Sequence, residues 1–242
     1  MDKKCFYLIL MCMAIYLNTN AKNLVRFYQN ALVGYKNEAG ETIVPATFEA
    51  GCEFSNGIAI ILQNGGRGLI NDEGQTVLPP IFQDLTMPEN GVVVAKQNGK
   101  YGILSLQNKW IVAPIFDNAY GFANGFARVM KNNQWGFIAS ADPIMPKKMY
   151  QQIGTYNEGL APVCINNAWG YINAKGKLVM PTQFDFANAF AGDGTAVVLL
   201  SKKSDEAYFI INKSGKIIKE IESKEEDPEV EHYHIKNKAI RK

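Results

Sequence analysis

The sequence predicts an all-β fold: six tandem three-stranded units of about 34 residues that form an open or partly closed β-superhelix. A closed propeller-like ring is the alternative, although propeller blades usually have four strands. Two observations carry this prediction. Glycine, asparagine and aromatic residues recur at a fixed interval, and the segments between them are short and rich in β-forming residues. Helical repeats can have a similar period, but several glycines and usually a proline per unit would interrupt paired helices.

Four columns define the repeat, and members of each column are 34 residues apart. The first glycine column contains Gly34, Gly68, Gly102, Gly136 and Gly170. The second contains Gly57, Gly91, Gly125 and Gly159. The aromatic column consists of Phe48, Phe82, Phe116, Tyr150 and Phe184. The asparagine column consists of Asn30, Asn64, Asn98, Asn132 and Asn166. Agreement of four columns in one register indicates a repeat array.

Two tight turns are predicted in each unit. The asparagine column is followed by Gly or Asn in the middle units, a pair that tolerates positive φ and fits type I′ hairpin turns. An Asn-x-x-Gly turn comes next, as in residues 71–74 and 173–176. A third strand then runs to a proline, which is predicted to end it, and a longer connection around the aromatic column leads onward. These prolines are Pro45, Pro79 and Pro181.

The predicted array occupies residues 22–220. Its six units lie near residues 23–56, 57–90, 91–124, 125–158, 159–193 and 194–220. The first and last depart from the pattern, as the ends of a stacked array require. The fourth is irregular inside the array, because Ala139, Ser140, Ala141 and Asp142 replace the Asn-x-x-Gly turn.

Residues 1–21 have the pattern of a secretory signal peptide. Lys3 and Lys4 precede the apolar run of residues 5–17, and Thr19 and Ala21 are the small residues read at a cleavage site. An apolar run of this length is too short to cross a bilayer, so no transmembrane anchor is expected after cleavage. Lipidation at Cys12 is disfavoured because bulky Met11 precedes it. We expect an exported protein that is periplasmic, at the outer surface or secreted, with a charged, flexible tail at residues 221–242.

Composition offers little support for catalysis or nucleic-acid binding. The net charge is +2 without a basic stripe, so no nucleic-acid partner is expected. The two histidines, His232 and His234, lie in the tail and do not make a metal site by themselves. Cys52 and Cys164 are expected to be small buried side chains. The glycines are interpreted as turn residues rather than a nucleotide-binding loop, and no catalytic residue, metal or cofactor is predicted.

The motifs Trp135-Gly136-Phe137-Ile138 and Trp169-Gly170-Tyr171-Ile172 resemble the WG-repeat (KWG-type) family. The motif Pro181-x-x-Phe184-Asp185 supports the same resemblance, which covers nearly all of the chain beyond the predicted signal. The family comprises exported bacterial β-repeat proteins that largely lack an assigned activity, so the resemblance implies a binding or scaffold role. The position before the first glycine column, here called the Trp column, departs from the family in the first three units. It holds Val33, Arg67 and Tyr101 there.

The Trp column is the candidate ligand surface: Arg67, Tyr101, Trp135 and Trp169. The alternative is that these residues stack between units as core, which is the role expected of the aromatic column. The position after the aromatic column holds Glu49, Gln83, Asp117, Gln151 and Asp185. A turn or capping role is favoured for it over a catalytic carboxylate pair or a calcium site.

The predicted function is therefore an exported, non-enzymatic binding module that holds a protein, peptide or surface glycan on its repeats. A structural cell-envelope component without a soluble ligand is the alternative. A hydrolase acting on envelope polymers ranks third, because acid–base residues are lacking.

Overall fold

The computed structural model describes residues 23–202 and 205–221, and that part of the chain is built from β-strands and turns without a helix. Twenty-two strands form six antiparallel sheets, numbered here in chain order. No membrane-spanning helix is found among these residues. The predicted signal peptide, and the predicted tail beyond Ile221, lie outside the described residues. The chain divides into two compact halves, with the boundary between Pro114 and Ile115.

The N-terminal half contains three sheets. Sheet 1 comprises β1 (Val25–Gln29), β2 (Leu32–Lys36) and β3 (Thr42–Phe48). Sheet 2 comprises β4 (Ala50–Gly51), β5 (Ile58–Gln63), β6 (Gly66–Asn71) and β7 (Thr76–Phe82). Sheet 3 comprises β8 (Asp84–Leu85), β9 (Val92–Gln97), β10 (Lys100–Ser105) and β11 (Trp110–Phe116). The boundary between the halves falls within β11.

The C-terminal half contains the other three sheets. Sheet 4 comprises β12 (Asn118–Ala123), β13 (Phe126–Lys131) and β14 (Gln134–Ala139). Sheet 5 comprises β15 (Gln152–Ile153), β16 (Leu160–Ile165), β17 (Ala168–Asn173) and β18 (Leu178–Phe184). Sheet 6 comprises β19 (Phe186–Ala187), β20 (Thr195–Lys202), β21 (Asp205–Asn212) and β22 (Ile217–Ile221).

Sheets 2, 3, 5 and 6 have four strands each, so the predicted three-stranded unit is wrong for them. The additional strand is a two-residue segment that begins two residues after the aromatic column, as in β4, which pairs with β5. A second positive-φ turn joins the two strands, with Asn56 at 49° and Gly57 at 74°. Two residues are too few to show an alternating pattern, so the sequence analysis took this segment for part of a connection.

The asparagine column forms the predicted hairpin turns. Asn64 and Gly65 have φ values of 52° and 74°, and Asn166 and Asn167 have values of 51° and 63°. Two consecutive positive φ values in a two-residue loop define a type I′ turn, whose twist matches that of the flanking strands. The prediction of type I′ hairpins is confirmed.

The first glycine column lies in the middle of a strand, so its interpretation as a turn position is wrong. In sheet 5, Trp169 pairs with Phe184 and Tyr171 pairs with Met180. Three residues of β18 therefore bulge opposite Gly170 alone. A Cβ on Gly170 would lie 2.6 Å from the Met180 carbonyl oxygen, so only glycine lets the two backbones approach this closely.

The proline column lies inside that bulge, so the prediction that proline ends the third strand is also wrong. Pro181 is a residue of β18, and the strand continues beyond it to Phe184. A bulge has no regular ladder position that requires an N–H donor, which is why proline is tolerated there. Pro45 in β3 and Pro79 in β7 have the same placement.

The apolar core of each half lies between successive sheets. Tyr35 and Phe48 of sheet 1 pack with Ile61 of sheet 2 in one cluster. Tyr171 of sheet 5 packs with Phe209 of sheet 6 in another. Within each half, apolar side chains of one sheet thus pack against those of the next sheet, as the repeat pattern requires. All five residues of the aromatic column are buried: Phe48, Phe82, Phe116, Tyr150 and Phe184.

Candidate binding cleft

The candidate site begins with a turn that the fourth repeat cannot form. In sheet 5, the Asn173 side-chain oxygen accepts hydrogen bonds from the backbone N–H groups of Lys175 and Lys177, at 3.0 and 3.1 Å. These bonds hold the turn that leads β17 into β18. Ala139 occupies the position 34 residues earlier and has no side-chain acceptor. The turn into a third strand is therefore unsupported in the fourth repeat.

Proline removes a second support of that strand. Pro146 stands 34 residues before Met180, which pairs with Tyr171 in sheet 5. Proline has no N–H group to donate to the ladder and is disfavoured at this position of a strand. Among the described residues, sheet 4 accordingly has no counterpart of β18, which is the third long strand of a regular repeat, and β14 is an edge strand of that sheet.

One backbone pair still ties the interrupted segment to the sheet. Trp135 and Tyr150 exchange two hydrogen bonds, each 2.8 Å long. Because outward-facing groups alternate along an antiparallel strand, the N–H and C=O groups of Phe137 and Ala139 face the same edge as those of Trp135. In sheet 5, the corresponding edge of β17 is paired with β18.

The missing strand leaves a half-open cleft of about 720 Å³. Its floor is apolar and aromatic, and the Phe126 ring lies 4.3 Å from the Tyr156 ring and 6.1 Å from the Phe137 ring. Tyr150 and Ile172 complete the floor. Burial raises the pKa of Tyr150, so its phenol stays protonated and neutral at neutral pH.

The rim of the cleft is cationic. Four lysines and one aspartate line the rim, and their charges sum to three net positive charges. The residues are Lys147, Lys148, Lys175, Lys177 and Asp142. None of the four lysines forms an ion pair within residues 23–202 and 205–221. An aromatic floor under unpaired cations suits a ligand that is partly apolar and carries negative charge.

Arg67 and Tyr101, two of the predicted ligand residues, meet at a carboxylate. Arg67 Nη1 donates to Asp84 at 2.6 Å, and the Tyr101 hydroxyl donates to the other oxygen of Asp84 at 3.2 Å. The Lys96 ammonium lies 4.9 Å from the centre of the Tyr101 ring. Burial, and then the charge of Asp84, raises the pKa of Tyr101. Both side chains therefore already have a partner, and the Arg67–Asp84 pair links sheet 2 to sheet 3.

Trp135 and Trp169 have different surroundings. Trp135 stacks on Tyr120 at 5.5 Å with 23° between the ring planes, and the Arg128 guanidinium lies 4.3 Å from the Tyr120 ring. Trp169 is only 7% exposed and packs edge-on against Phe186 at 5.5 Å. Trp169 is thus part of the core between sheets 5 and 6, whereas Trp135 lies in a partly exposed aromatic stack.

The position after the aromatic column holds the next hairpin turn. The Gln83 side-chain oxygen accepts a hydrogen bond from the Gly99 N–H at 2.6 Å. The same role falls to Glu49, Asp117 and Gln151. The predicted turn role is confirmed for these four residues, whereas Asp185 accepts at 2.6 Å from the N–H of Ser201, which lies within β20. Within the described part of the chain, no three His, Cys, Asp or Glu side chains gather in an arrangement that could hold a metal.

Both cysteines beyond the predicted signal are free thiols. Cys164 is buried, as expected, and burial raises the pKa of its thiol. Cys52 is exposed, so the expectation that it is buried is wrong. It follows the short strand β4, and its carbonyl accepts a 2.7 Å hydrogen bond from Tyr35.

The lysines and the aromatic floor of the cleft were not predicted from the sequence. The available signal was the irregular fourth repeat, which was noted only as a turn variant. Pro146 was the stronger indication, because it lies where the third strand of a regular repeat would run, and Pro143 directly precedes that stretch.

Comparison with known proteins identifies the repeat. The family described as "WG containing repeat" matches residues 34–66, 68–101, 101–135, 147–167 and 169–203. The matches leave out residues 136–146, the segment that contains Ala139 and Pro146. No curated protein matches the chain.

Solved structures with a similar fold are of the WD40 or propeller-like type. "Crystal structure of the eukaryotic initiation factor" has a TM-score of 0.50 at 12% identity, covering 81% of this chain and 62% of that chain. This chain therefore spans less than two thirds of that structure's length. The Hsv2 structure from Kluyveromyces lactis has a TM-score of 0.45 at 12% identity, covering 78% and 70% of the two chains. The Neurospora crassa Pan2 WD40 domain has a TM-score of 0.35 at 12% identity, covering 83% and 78%. The likeness concerns the fold alone.

Proposed function

We propose that this chain, which belongs to the WG-repeat family, is an exported, non-enzymatic binding module that holds a protein, peptide or surface glycan in the cleft of the fourth repeat. The observation that carries the proposal is a coincidence of position. The stretch that departs from the family pattern, residues 136–146, is also the stretch that opens the cleft. Binding residues are commonly found on irregular segments held by a regular scaffold.

The exposed apolar side chains of this segment support the proposal. Ile144 is 50% exposed and Met145 is 45% exposed, and both line the cleft. Their counterparts in β18, Leu178 and Val179, are 39% and 43% exposed, so what distinguishes Ile144 and Met145 is the cleft that they line. Adjacent apolar groups left in water beside a cationic rim are typical of an interaction site.

The chemistry of the lining favours binding over catalysis. It supplies lysines, a neutral phenol and aromatic rings, which can hold an anionic and partly apolar ligand. Asp142 is the one carboxylate in the lining. A hydrolase of the glycosidase type uses a pair of carboxylates, so this lining gives it little support.

A binding screen on peptide and glycan arrays tests the proposal, using the full chain. We expect a signal that is reduced in the double variant Lys175→Gln, Lys177→Gln. The matched control is Lys216→Gln, Lys219→Gln, which removes the same charge from exposed positions of sheet 6. Equal loss in both variants would indicate nonspecific charge attraction. Absence of any signal would favour the structural cell-envelope component.

Two further parts of the proposal need their own measurements. Export depends on residues 1–21, and N-terminal sequencing of the protein from cell-envelope and culture fractions tests cleavage after Ala21. For the arrangement of the six sheets, we retain the open or partly closed superhelix. Because four sheets have four strands, strand count no longer argues against the ring. Small-angle scattering distinguishes an extended superhelix from a ring.

A further inference from the structure

We propose that the ligand of the cleft is an extended acidic peptide. It adds to the edge of β14 as a further strand of sheet 4, at the position that β18 occupies beside β17 in sheet 5. This inference rests on the proposed function, because it concerns the same cleft. It commits to a peptide segment of another protein, with an aliphatic side chain between acidic ones.

The backbone of β14 supplies the first argument. Phe137 and Ala139 both line the cleft, and their N–H and C=O groups face the edge that lacks a third strand. An open edge of this kind is a template for an added strand. The Trp135–Tyr150 pair closes one end of this edge, so an added strand has a defined place to begin.

The third strands of the other repeats indicate the side chain that the ligand offers. The residue at the Met180 position is aliphatic and buried in each regular third strand that precedes the last repeat: Val44, Leu78, Val112 and Met180. In the fourth repeat this position is Pro146, which cannot take the ladder role of Met180. An incoming strand would place its own aliphatic side chain over the floor that Phe126, Phe137 and Tyr156 form.

The rim supplies the charge argument. Lys147 and Lys148 line the cleft from the interrupted segment, and Lys175 and Lys177 line it from the turn that follows β17. An extended peptide that carries acidic residues on both sides of its aliphatic residue can reach lysines of both segments. Complementary charge of this kind favours encounter and fixes register. A glycan can meet the lysines, but it has no backbone to pair with β14.

The test uses the full chain and a fluorescently labelled peptide of sequence Glu-Thr-Glu-Leu-Thr-Glu-Asp, with binding followed by anisotropy. Two further peptides carry N-methyl groups on alternate residues, one set for each edge of the extended strand. We expect one set to bind about tenfold more weakly for each ladder hydrogen bond removed, and the other to bind like the parent. Replacing the leucine by serine should also weaken binding.

Variants of the protein test the charge argument. Lys175→Gln, Lys177→Gln should weaken binding about two- to fivefold for each lysine, the range expected of exposed ion pairs. The control Lys216→Gln, Lys219→Gln should bind like the parent protein. A second variant exchanges residues 139–149 for the sequence of residues 173–183, which restores the turn asparagine, replaces Pro146 by methionine and places a proline one position later, as in β18. This exchange should complete sheet 4 and abolish peptide binding, while circular dichroism verifies that the β-fold is kept.

Different failures have different meanings. Peptide binding that depends on the lysines but tolerates both N-methylated sets would overturn strand addition while leaving the cleft as a binding site. Lysine-dependent binding of glycans alone would overturn the peptide as ligand. No effect of the lysine variants on any ligand would remove the cleft from the proposed function. Peptide binding that appears only after replacement of Glu225, Glu226 and Glu229 by Gln would identify the chain's own tail as the occupant and overturn the external partner.

Discussion

Replacing Gly170 by alanine would place a methyl group against the bulged backbone of β18. The new Cβ would lie 2.6 Å from the Met180 carbonyl oxygen and 2.9 Å from the carbonyl carbon and oxygen of Pro181. The shortest contact is roughly 1 Å below the separation at which nonbonded heavy atoms attract each other best. All three contacting atoms belong to the backbone, so no side-chain rotation relieves the clash.

The expected cost follows from which atoms must move. Added methyl groups in packed cores cost about 1–3 kcal/mol, and the upper end applies where a whole strand has to shift. We therefore expect Gly170→Ala to lower the free energy of unfolding by about 3 kcal/mol. For a chain of this size, that corresponds to a fall in the melting temperature of roughly 6–12 °C.

Two other glycines of the C-terminal half provide matched controls. A Cβ on Gly136 would lie 2.6 Å from the Cβ of Pro146 and 2.7 Å from the sulfur of Met149, which are side-chain atoms of the interrupted segment. That segment can yield, so Gly136→Ala should cost only about 1 kcal/mol. A Cβ on Gly192 meets nothing within 4 Å and φ is not positive there, so Gly192→Ala should stabilise by about 0.4–1 kcal/mol.

Thermal and denaturant unfolding of the three variants, followed by circular dichroism, makes the comparison. The order of stability should be Gly192→Ala, then wild type, Gly136→Ala and Gly170→Ala. The role assigned to the bulge would be refuted if Gly170→Ala had the melting temperature of the wild type. It would also be refuted if Gly136→Ala melted at a lower temperature than Gly170→Ala.

Three further predictions concern the turns and the tyrosines. Asn173→Ala should destabilise the protein to urea by about 1–2 kcal/mol, because two backbone N–H groups lose their acceptor. Asp84→Asn should lower the free energy of unfolding by less than about 1 kcal/mol, because Asp84 and Arg67 form an exposed ion pair. Absorbance titration of this variant should show a pKa of Tyr101 that is lower than in the wild type. It should still exceed the ordinary value, since burial is the larger cause of the raised pKa. Burial raises the pKa of Tyr35 from 10.0 to about 12. Between these two pH values the folded state keeps a proton that the unfolded state releases. The contribution of Tyr35 to stability is therefore fully present below pH 10 and is lost as the pH rises to 12. Tyr35→Phe should flatten that loss in urea midpoints measured across this range.

The turns could be predicted from sequence because their chemistry is local. Asn166 and Asn167 have positive φ for reasons contained in the two residues and the hairpin that they close. The turn role of Gln83 was similarly favoured from its place after the aromatic column, although its partner, the N–H of Gly99, belongs to the next hairpin. Spacing at a constant period was enough to anticipate both features.

The features that the sequence analysis misread depend on contacts between strands. Gly170 was taken for a turn residue, because a pattern of glycines does not distinguish positive φ from close approach of a second backbone. Pro181 was taken for a strand end, because its bulge is visible only once the register of β17 and β18 is known. The strand β4 escaped notice because its two residues are defined by the partner that they pair with.

The interruption of the fourth repeat shows how a departure from a pattern acquires meaning. Ala139 withholds the acceptor that supports the turn, and Pro146 withholds the donor that supports the strand. Together the two changes remove both supports of the third strand. The Trp135–Tyr150 pair then restores the register, so that sheet 5 is complete directly afterwards. A defect confined in this way leaves the strands on both sides in place, and it exposes one strand edge, one aromatic floor and four lysines that form no ion pair with any residue the structure describes.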